Sequence, residues 1–257
     1  MKAIVLAAGY ATRLRPLTET IKKELLPVGG RPIIDWIVDR IEQVDEIDEI
    51  HVVTNHRFAA DLERWAAERG GVRVHDDGTL SNETRLGAIA DLRFTVEEGR
   101  LQGDDLLVIA GDNLFDYSLA DYVAWWRGKR EASAVAVRRI PDRDLLKQYG
   151  VLSVDEDDRI TSLIEKPEDP QGDLAATATY LFHHAHAARV QEYLEEGNSP
   201  DAPGRFVEWL VPRVPVYGYS FDGLWMDIGD RDQLLEADNL LRGRHGLPQR
   251  AEYTPET

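Results

Sequence analysis

The start of the chain decides its fold, because residues 1–17 read MKAIVLAAGYATRLRPL. The apolar run Lys2–Leu6 predicts a buried β-strand. The small residues Ala7–Gly9 follow it directly, so the backbone there can approach a ligand closely. Arg13 comes next, and the basic pair Lys22–Lys23 follows within the next ten residues. Backbone N–H groups beside fixed cations favour a site that holds phosphates.

The composition excludes several classes of protein. The chain has 257 residues, with 30 basic and 47 acidic side chains and a net charge of −17. General nucleic-acid binding needs a basic face, so no nucleic-acid partner is expected. The absence of cysteine excludes disulfides, thiol nucleophiles and cysteine-ligated zinc. No apolar run approaches the ~18 residues of a membrane span, and the N-terminus lacks a secretory pattern, so we expect a cytoplasmic protein without a membrane partner.

Strand and helix patterns alternate from the N-terminus to residue 138. This alternation predicts an α/β fold with a Rossmann-like, doubly wound, mixed but mostly parallel sheet. The predicted strands are Lys2–Leu6, Glu49–Thr54, Val72–His75, Leu106–Ala110 and Ala132–Arg138. The predicted helices are Pro32–Val44, Phe58–Arg69, Leu86–Phe94 and Leu119–Arg127.

The pattern changes after residue 138, which indicates a smaller second lobe of more antiparallel character. Predicted strands there are Gly150–Val154, Ile160–Glu165, Thr177–Phe182, Val214–Phe221 and Leu224–Met226, and predicted helices are His186–Glu195, Arg205–Leu210 and Arg231–Leu241. We therefore expect one domain over residues 1–243, made of lobes 1–138 and 139–243. Residues 244–257 form a polar tail that is predicted to fray.

Two turns carry chemistry at the predicted sheet edge where ligands bind. In an open parallel sheet, ligands lie beyond the carboxyl ends of the strands. Ala7–Arg13 follows the first strand, and Gly111–Asn113 follows the apolar strand Leu106–Ala110. An ionised Asp112 at that position needs a partner, which Mg²⁺ would supply. A turn or helix-capping aspartate is the commoner explanation for one such residue, so both interpretations stay open.

Six motifs occur in a fixed order along nearly the whole chain. They are LAAGYATRLRPLT (6–18), KELLPV (23–28), GDN (111–113), YGV (149–151), EKP (165–167) and WMDIG (225–229). In this order and spacing the chain resembles the sugar-1-phosphate nucleotidyltransferases, also called NDP-sugar pyrophosphorylases. Its layout is similar to that of the short glucose-1-phosphate thymidylyltransferases.

The resemblance implies a reaction between a nucleoside triphosphate and a sugar 1-phosphate, giving an NDP-sugar and pyrophosphate. The implied substrates are dTTP or UTP and glucose 1-phosphate, with Mg²⁺ as cofactor. A phosphate oxygen of the sugar phosphate attacks the α-phosphorus, and this oxygen is already ionised. The protein therefore has to position the substrates and neutralise charge, without a nucleophile of its own.

The resemblance also assigns roles to individual residues. Arg13 and Lys23 are catalytic and contact the phosphates, and Asp112 and Asp227 hold the Mg²⁺. The nucleotide-binding residues are Leu6, Ala7, Ala8, Gly9, Asn82 and Gly87, and the residues that bind the sugar phosphate are Gly150, Glu165, Lys166 and Thr177.

The chain departs from the family pattern at three positions. Ala11 and Ala178 stand where the family has glycine, and Asn82 stands where thymidylyltransferases have a glutamine that reads the pyrimidine. The choice of base is therefore left open. The C-terminal extensions of longer relatives are not seen, so neither an allosteric site nor a fixed tetramer is implied, and homo-oligomerisation stays open.

Two rival functions are considered beside this one. A cytidylyltransferase acting on phosphocholine or another small phosphate would use the same N-terminal residues, but the motifs Tyr149–Val151 and Glu165–Pro167 favour a sugar. A non-catalytic regulatory relative would not need Arg13, Lys23, Asp112 and Asp227 together.

Two basic features are predicted to be solvated. Lys22 is interpreted as a surface lysine beside the functional Lys23. His183, His184 and His186 are interpreted as a solvated turn, because no set of metal ligands accompanies them in the sequence.

Overall fold

A mixed nine-stranded sheet runs through the protein, for which a computed structural model describes residues 1–255. The strands are β1 (Lys2–Ala7), β2 (Pro27–Val28), β3 (Arg31–Pro32), β4 (Glu49–Thr54), β5 (Val72–Asp76), β6 (Leu106–Ala110), β7 (Asn113–Phe115), β8 (Ser133–Arg139), β9 (Gly150–Val154), β10 (Ile160–Glu165), β11 (Leu174–Phe182), β12 (Val216–Ser220) and β13 (Trp225–Asp227). The helices are α1 (Ile33–Ile41), α2 (Ala59–Arg69), α3 (Ala88–Glu98), α4 (Leu119–Arg127), α5 (Arg143–Leu146), α6 (His184–Ala187), α7 (Val190–Glu195), α8 (Pro203–Leu210) and α9 (Arg231–Arg244).

The order of the strands places a crevice at the ends of β1 and β6. The sheet runs β10-β9-β11-β6-β1-β4-β5, with β8 paired to β11 and β12 paired to β8. Strands β6, β1, β4 and β5 are parallel, and β11 joins β6 in the antiparallel direction. Because chain connections diverge on either side of β1, the loops that follow β1 and β6 separate and leave room for a ligand.

Helices cover both faces of the central strands. Ala3 and Val5 of β1 pack against α1, α4 and α9, whereas Ile4 packs with α3, α7 and α8 on the opposite face. A strand buried on both faces has no polar side to present, which explains the continuous apolar runs of β1 and β6. The two cores hold the strand ends rigidly, so loops that leave them begin at fixed positions.

Most predicted elements are confirmed, and the errors have local causes. Strands β4, β6, β9 and β10 and helix α4 have the predicted bounds. Pro32 does not open α1; it belongs to the short strand β3, and the helix begins at Ile33. The predicted helix His186–Glu195 is two short helices, α6 and α7. Strand β7 was not predicted, because it has three residues and pairs with a strand far along the chain.

In the described residues 244–255, the C-terminal tail packs against the rest of the protein. Tyr253 donates its hydroxyl hydrogen to Pro27 O at 2.8 Å, and Arg250 N donates to Asn239 Oδ1 at 2.7 Å. The prediction of a frayed tail is therefore wrong up to Tyr253, and residues 256–257 lie outside the described part. Within residues 1–255, no helix is both long enough and apolar enough to cross a bilayer.

Two alanines stand at positions where the resembled family has glycine, and both adopt a left-handed backbone conformation. Ala11 has φ 45° and Ala178 has φ 53°. A Cβ in this region costs roughly 1–2 kcal/mol. We expect Ala178→Gly to stabilise the protein by about 1 kcal/mol, measured by urea unfolding, since relief of strain exceeds the added entropy of the unfolded chain.

Ala124 provides a matched control for that substitution, because it is an exposed residue within helix α4. Ala124→Gly should destabilise by about 1 kcal/mol, the usual cost of glycine inside a helix. Equal destabilisation by Ala178→Gly and Ala124→Gly would show that position 178 carries no backbone strain.

Candidate active site

Two adjoining cavities occupy the crevice beyond β1 and β6. The first cavity has a volume of about 240 Å³ and includes Gly9, Lys23, Gly87 and Asp91 in its wall. The second cavity has a volume of about 220 Å³ and includes Gly150, Glu165, Lys166 and Asp227. Asp112 and Ala178 line both cavities. A molecule in each cavity would therefore meet the other at Asp112.

Lys23 and Asp112 form an ion pair where the cavities meet. Lys23 Nζ donates to Asp112 Oδ2 at 2.6 Å and to Ile228 O at 3.1 Å. Burial lowers the pKa of Lys23, but the carboxylates of Asp112 and Glu24 outweigh it, and the pKa is raised. Lys23 is therefore a permanent cation, with its ammonium group between the two cavities.

A two-stranded ribbon brings Asp227 to the same point. Strands β7 and β13 are antiparallel, with Asp227 opposite Asn113, and Ile228 N donates to Asp112 O at 3.0 Å. Burial and the nearby Asp112 raise the pKa of Asp227 to about 7, although Lys23 opposes this shift. The sequence placed the two aspartates in different lobes, and the fold makes them neighbours.

The two aspartates suit a divalent cation by the chemistry of their donors. Asp227 is largely buried and destabilised by Asp112, so a positive charge between them would relieve the repulsion. Carboxylate oxygens are the ligands that Mg²⁺ takes in proteins, together with water and substrate phosphates. The residues therefore fit the cation implied by the sequence.

Arg13 approaches the site from the loop after β1. A Cβ added to Gly229 would lie 2.6 Å from Arg13 Nη2, so the guanidinium group rests against the backbone that follows Asp227. Arg13 is exposed, which leaves it able to contact a ligand. A side chain at position 229 would force the Arg13 guanidinium group to move.

Glu165 lies on the far wall of the second cavity, where two glycines leave room for its carboxyl group. A Cβ on Gly150 would lie 2.9 Å from Glu165 Oε2, and a Cβ on Gly204 would lie 1.9 Å from the same atom. Burial raises the pKa of Glu165, although Lys166 opposes the shift. Lys166 itself has φ 52°, a strained conformation that is common at functional sites. Its backbone N donates to Tyr149 O at 3.0 Å.

Besides Arg13, three predicted site residues are not part of the cavity walls. The hydroxyl of Thr177 donates to Ala136 O at 2.8 Å, on the face of β11 opposite the cavity-lining residues Ala176 and Ala178. The Ala7 side chain lies in the core. Asn82 lies in the loop before α3, where its carbonyl oxygen accepts from Arg85 Nη1 at 2.8 Å. The other predicted residues, Leu6, Ala8, Gly9, Gly87, Lys23, Asp112, Asp227, Gly150, Glu165 and Lys166, line a cavity, and Arg13 lies beside them.

The prediction that Lys22 is solvated is wrong. Its side chain is 1% exposed, and Nζ donates to Gly9 O at 2.6 Å and lies 3.5 Å from Glu24 Oε2. Burial lowers the pKa of Lys22, and Glu24 opposes this effect. Lys22 therefore supports the loop after β1 from beneath, instead of facing water.

The histidine turn is only partly solvated. His184 is exposed, but His186 is buried and its Nδ1 lies 3.0 Å from Ser133 Oγ. Asp105, His183 and His184 place potential ligand atoms within 4.8 Å of one another. The Asp105 carboxylate already accepts hydrogen bonds from Arg127 Nη1 at 2.7 Å and from the His184 backbone N–H at 2.9 Å. Its negative charge is therefore balanced by Arg127 without a metal.

Several residues of the cavity walls were not predicted as site residues. Glu24 and Asp91 line the first cavity, and Gly204 and Trp225 line the second. Pro203 lies at the first position of α8, a common place for proline. Nothing in the sequence links that helix to Glu165.

The fold and the site define an α/β protein with two adjoining cavities, in which small residues after β1, two neighbouring carboxylates and a fixed cation line the walls. The chain belongs to the nucleotidyl transferase family, whose model matches residues 2–243.

Named relatives agree with this assignment. The chain is 32% identical over 245 residues to UTP–glucose-1-phosphate uridylyltransferase AglF of Haloferax volcanii, covering 94% of this chain and 97% of that protein. It is 30% identical over 241 residues to UTP–glucose-1-phosphate uridylyltransferase of Synechocystis sp., covering 89% of this chain but 60% of that protein. A Streptomyces griseus glucose-1-phosphate thymidylyltransferase is 30% identical over 246 residues, covering 94% of this chain and 66% of that protein.

A solved structure has the same fold. It comes from Bacillus anthracis, is assigned as a glucose-1-phosphate thymidylyltransferase and contains sucrose. It superposes with a TM-score of 0.82 at 26% identity, over 94% of this chain and 95% of that one. The predicted Rossmann-like α/β fold is thereby confirmed over most of the chain.

Proposed function

We propose that this protein transfers a nucleotidyl group from UTP or dTTP to glucose 1-phosphate, releasing pyrophosphate. The observation that carries the proposal is the placement of Lys23, Asp112 and Asp227 between two cavities. The first cavity takes the nucleoside triphosphate, and the second takes the sugar phosphate. The relatives named above act on these two kinds of substrate by their names.

The residues of the chain perform positioning and charge neutralisation. Lys23 contacts phosphate oxygens from both substrates, because its ammonium group stands at the junction of the cavities. Arg13 covers the triphosphate from the opposite side, beside Gly229. Lys166 holds the sugar's phosphate and Glu165 accepts hydrogen bonds from its hydroxyls. Such placement brings the attacking oxygen and the α-phosphorus into line, which supplies much of the catalysis in phosphoryl-type transfers.

Asp112 and Asp227 would hold the Mg²⁺ of the proposed reaction. When bound, the ion neutralises negative charge on the phosphates. Without it, the raised pKa of Asp227 indicates that one carboxyl of the pair keeps a proton near neutral pH. Cation binding is therefore expected to strengthen as pH rises through about 7, since the ligand must lose that proton.

A substrate grid tests the proposal. Pyrophosphate release is measured with five nucleoside triphosphates against glucose 1-phosphate, other sugar 1-phosphates and phosphocholine, each with Mg²⁺ or with a chelator. We expect turnover with UTP or dTTP, glucose 1-phosphate and Mg²⁺ together. Turnover with CTP and phosphocholine alone would transfer the assignment to a cytidylyltransferase. No turnover anywhere in the grid would favour a non-catalytic relative.

The glycine beneath Glu165 gives a separate test of the sugar side. Gly204→Ala would place a methyl group 1.9 Å from Glu165 Oε2, so the carboxyl group must move. We expect kcat/KM for the sugar phosphate to fall about 10–100-fold, as displaced positioning groups generally cause. The KM for the nucleotide should change little.

The matched control for that variant is Gly243→Ala. A Cβ there would meet only Gln249 Nε2, at 3.9 Å, which is an ordinary contact. If the two variants had equal KM values for the sugar phosphate, Glu165 would not be part of the sugar site.

A further inference from the structure

A pair of carboxyl groups lies beneath the loop that follows β1. Asp91, in the first turn of α3, is 5% exposed and lines the first cavity. Asp77, in the loop after β5, lies within hydrogen-bonding reach of it. Asp77 Oδ1 accepts from Thr79 N at 2.7 Å, so this carboxyl has a fixed orientation. The pair therefore has a fixed position, with Asp91 in the cavity wall and Asp77 behind it.

One oxygen of each carboxyl lacks a donor. Among residues 1–255, no N–H or O–H group of another residue donates to Asp77 Oδ2 or to Asp91 Oδ1, and both atoms are fully buried. Two buried carboxylates in contact cannot both be ionised without a large cost. One proton held between the two carboxyls satisfies both oxygens, as in other carboxyl dyads.

The surroundings agree with this protonation. Burial, together with Asp77, raises the pKa of Asp91 to about 8, and Lys22 opposes the shift. The charged and titratable groups that interact with the pair are Lys22, Tyr10 and His56. Glu24, Arg85 and Asp201 line the same cavity as Asp91. The direct contacts of Lys22 Nζ are Gly9 O and Glu24, so its charge only partly offsets the upward shift of the Asp91 pKa.

The position of Asp91 points to the base of the nucleotide. Asp91 N donates to Gly87 O at 2.8 Å, and the two residues line the first cavity together with Ala8 and Gly9. Lys23 and Asp112 line the same cavity, pair with each other, and contact the phosphates in the proposed function. Asp91 instead pairs with Asp77, so its carboxyl oxygen is an acceptor that a base N–H can fill.

We propose that Asp91 reads the nucleotide base by accepting a hydrogen bond from an imide N–H, with Asp77 holding its carboxyl through a shared proton. This inference rests on the proposed function, because it assumes a nucleoside triphosphate in the first cavity. Uracil and thymine carry such an N3–H, whereas cytosine has an unprotonated N3. Asn82, whose residue type indicated base contact, lies outside this cavity wall.

The test compares UTP with 3-deaza-UTP, in which a C–H replaces N3–H at nearly the same size. For the wild-type enzyme we expect kcat/KM to be about 10–100-fold lower with 3-deaza-UTP, as expected when a buried acceptor loses its donor. In Asp91→Ala the two nucleotides should differ less than threefold. The KM for glucose 1-phosphate should stay unchanged. An unchanged ratio in Asp91→Ala would overturn the inference, whereas a wild-type enzyme inactive with every nucleotide would instead defeat the proposed function.

A second measurement applies even if Asp91→Ala fails to fold. A carboxyl whose pKa is raised on folding destabilises the folded state as pH rises from its ordinary pKa towards the raised one. The stability of the wild type should therefore fall between pH 5 and 8 more steeply than that of Asp91→Asn, measured by thermal unfolding. Parallel profiles for the two proteins would exclude the shared proton and overturn the proposal.

Discussion

Asp227→Asn is expected to lower kcat by about 10²–10³-fold, the usual loss when one electrostatic contact to a transition state is removed. The substitution keeps the shape of the side chain but removes a charged ligand from the proposed cation site. It should also raise the melting temperature at pH 8, because the neutral amide is not repelled by Asp112. Activity and stability thus move in opposite directions, which a general disruption of the fold would not produce.

The control for Asp227→Asn is Asp232→Asn. Asp232 is exposed in the first turn of α9, close to the site in sequence but on the surface. It should keep wild-type turnover and wild-type Mg²⁺ dependence. If Asp227→Asn also kept turnover within threefold, the assignment of Asp227 to the cation would be wrong.

Lys22→Met is expected to destabilise the protein by about 3–5 kcal/mol, the range for breaking a buried ion pair. Methionine fills the space but leaves Glu24 buried without a countercharge and leaves Gly9 O without its donor. Because burial raises the pKa of Glu24, the loss should be smaller at pH 5, where that carboxyl group becomes neutral in the variant. Urea unfolding at pH 5 and pH 8 measures both effects.

Two further variants make the Lys22 result specific. Lys147→Met removes an exposed lysine that pairs with Asp144 at 2.6 Å, and it should change stability by less than about 1 kcal/mol. Lys22→Met/Glu24→Gln removes both charges and should regain much of the lost stability. If Lys22→Met behaved like Lys147→Met, Lys22 would not support the loop.

The sequence predicted the part of the fold in which each strand is buried on both faces. Such strands, β1 and β6 above all, appear as unbroken apolar runs, and their ends locate the site. The aspartate pair was predicted through resemblance, since Asp112 alone is more commonly explained as a turn or helix-capping residue. Strands β7 and β13 bring the two aspartates close together by joining two segments that are distant in the sequence.

Residues whose environment is built by distant segments could not be predicted. Lys22 is buried because Gly9 and Glu24 surround its ammonium group, and a lysine in sequence gives no sign of this. Asp91 has the appearance of an ordinary acid in a first helical turn, and only the fold places Asp77 against it. Thr177 lies in a strand, where alternation directs its side chain to the face opposite Ala178, so that side chain is not part of the cavity wall.

The ribbon of β7 and β13 also sets the time at which the site comes into existence during synthesis. A nascent chain that has emerged as far as α8 already has β1, β6 and Lys23, but it lacks the strand that carries Asp227. Such a chain would lack one of the two carboxylates of the proposed cation site. The site is therefore assembled only after β13 has been synthesised.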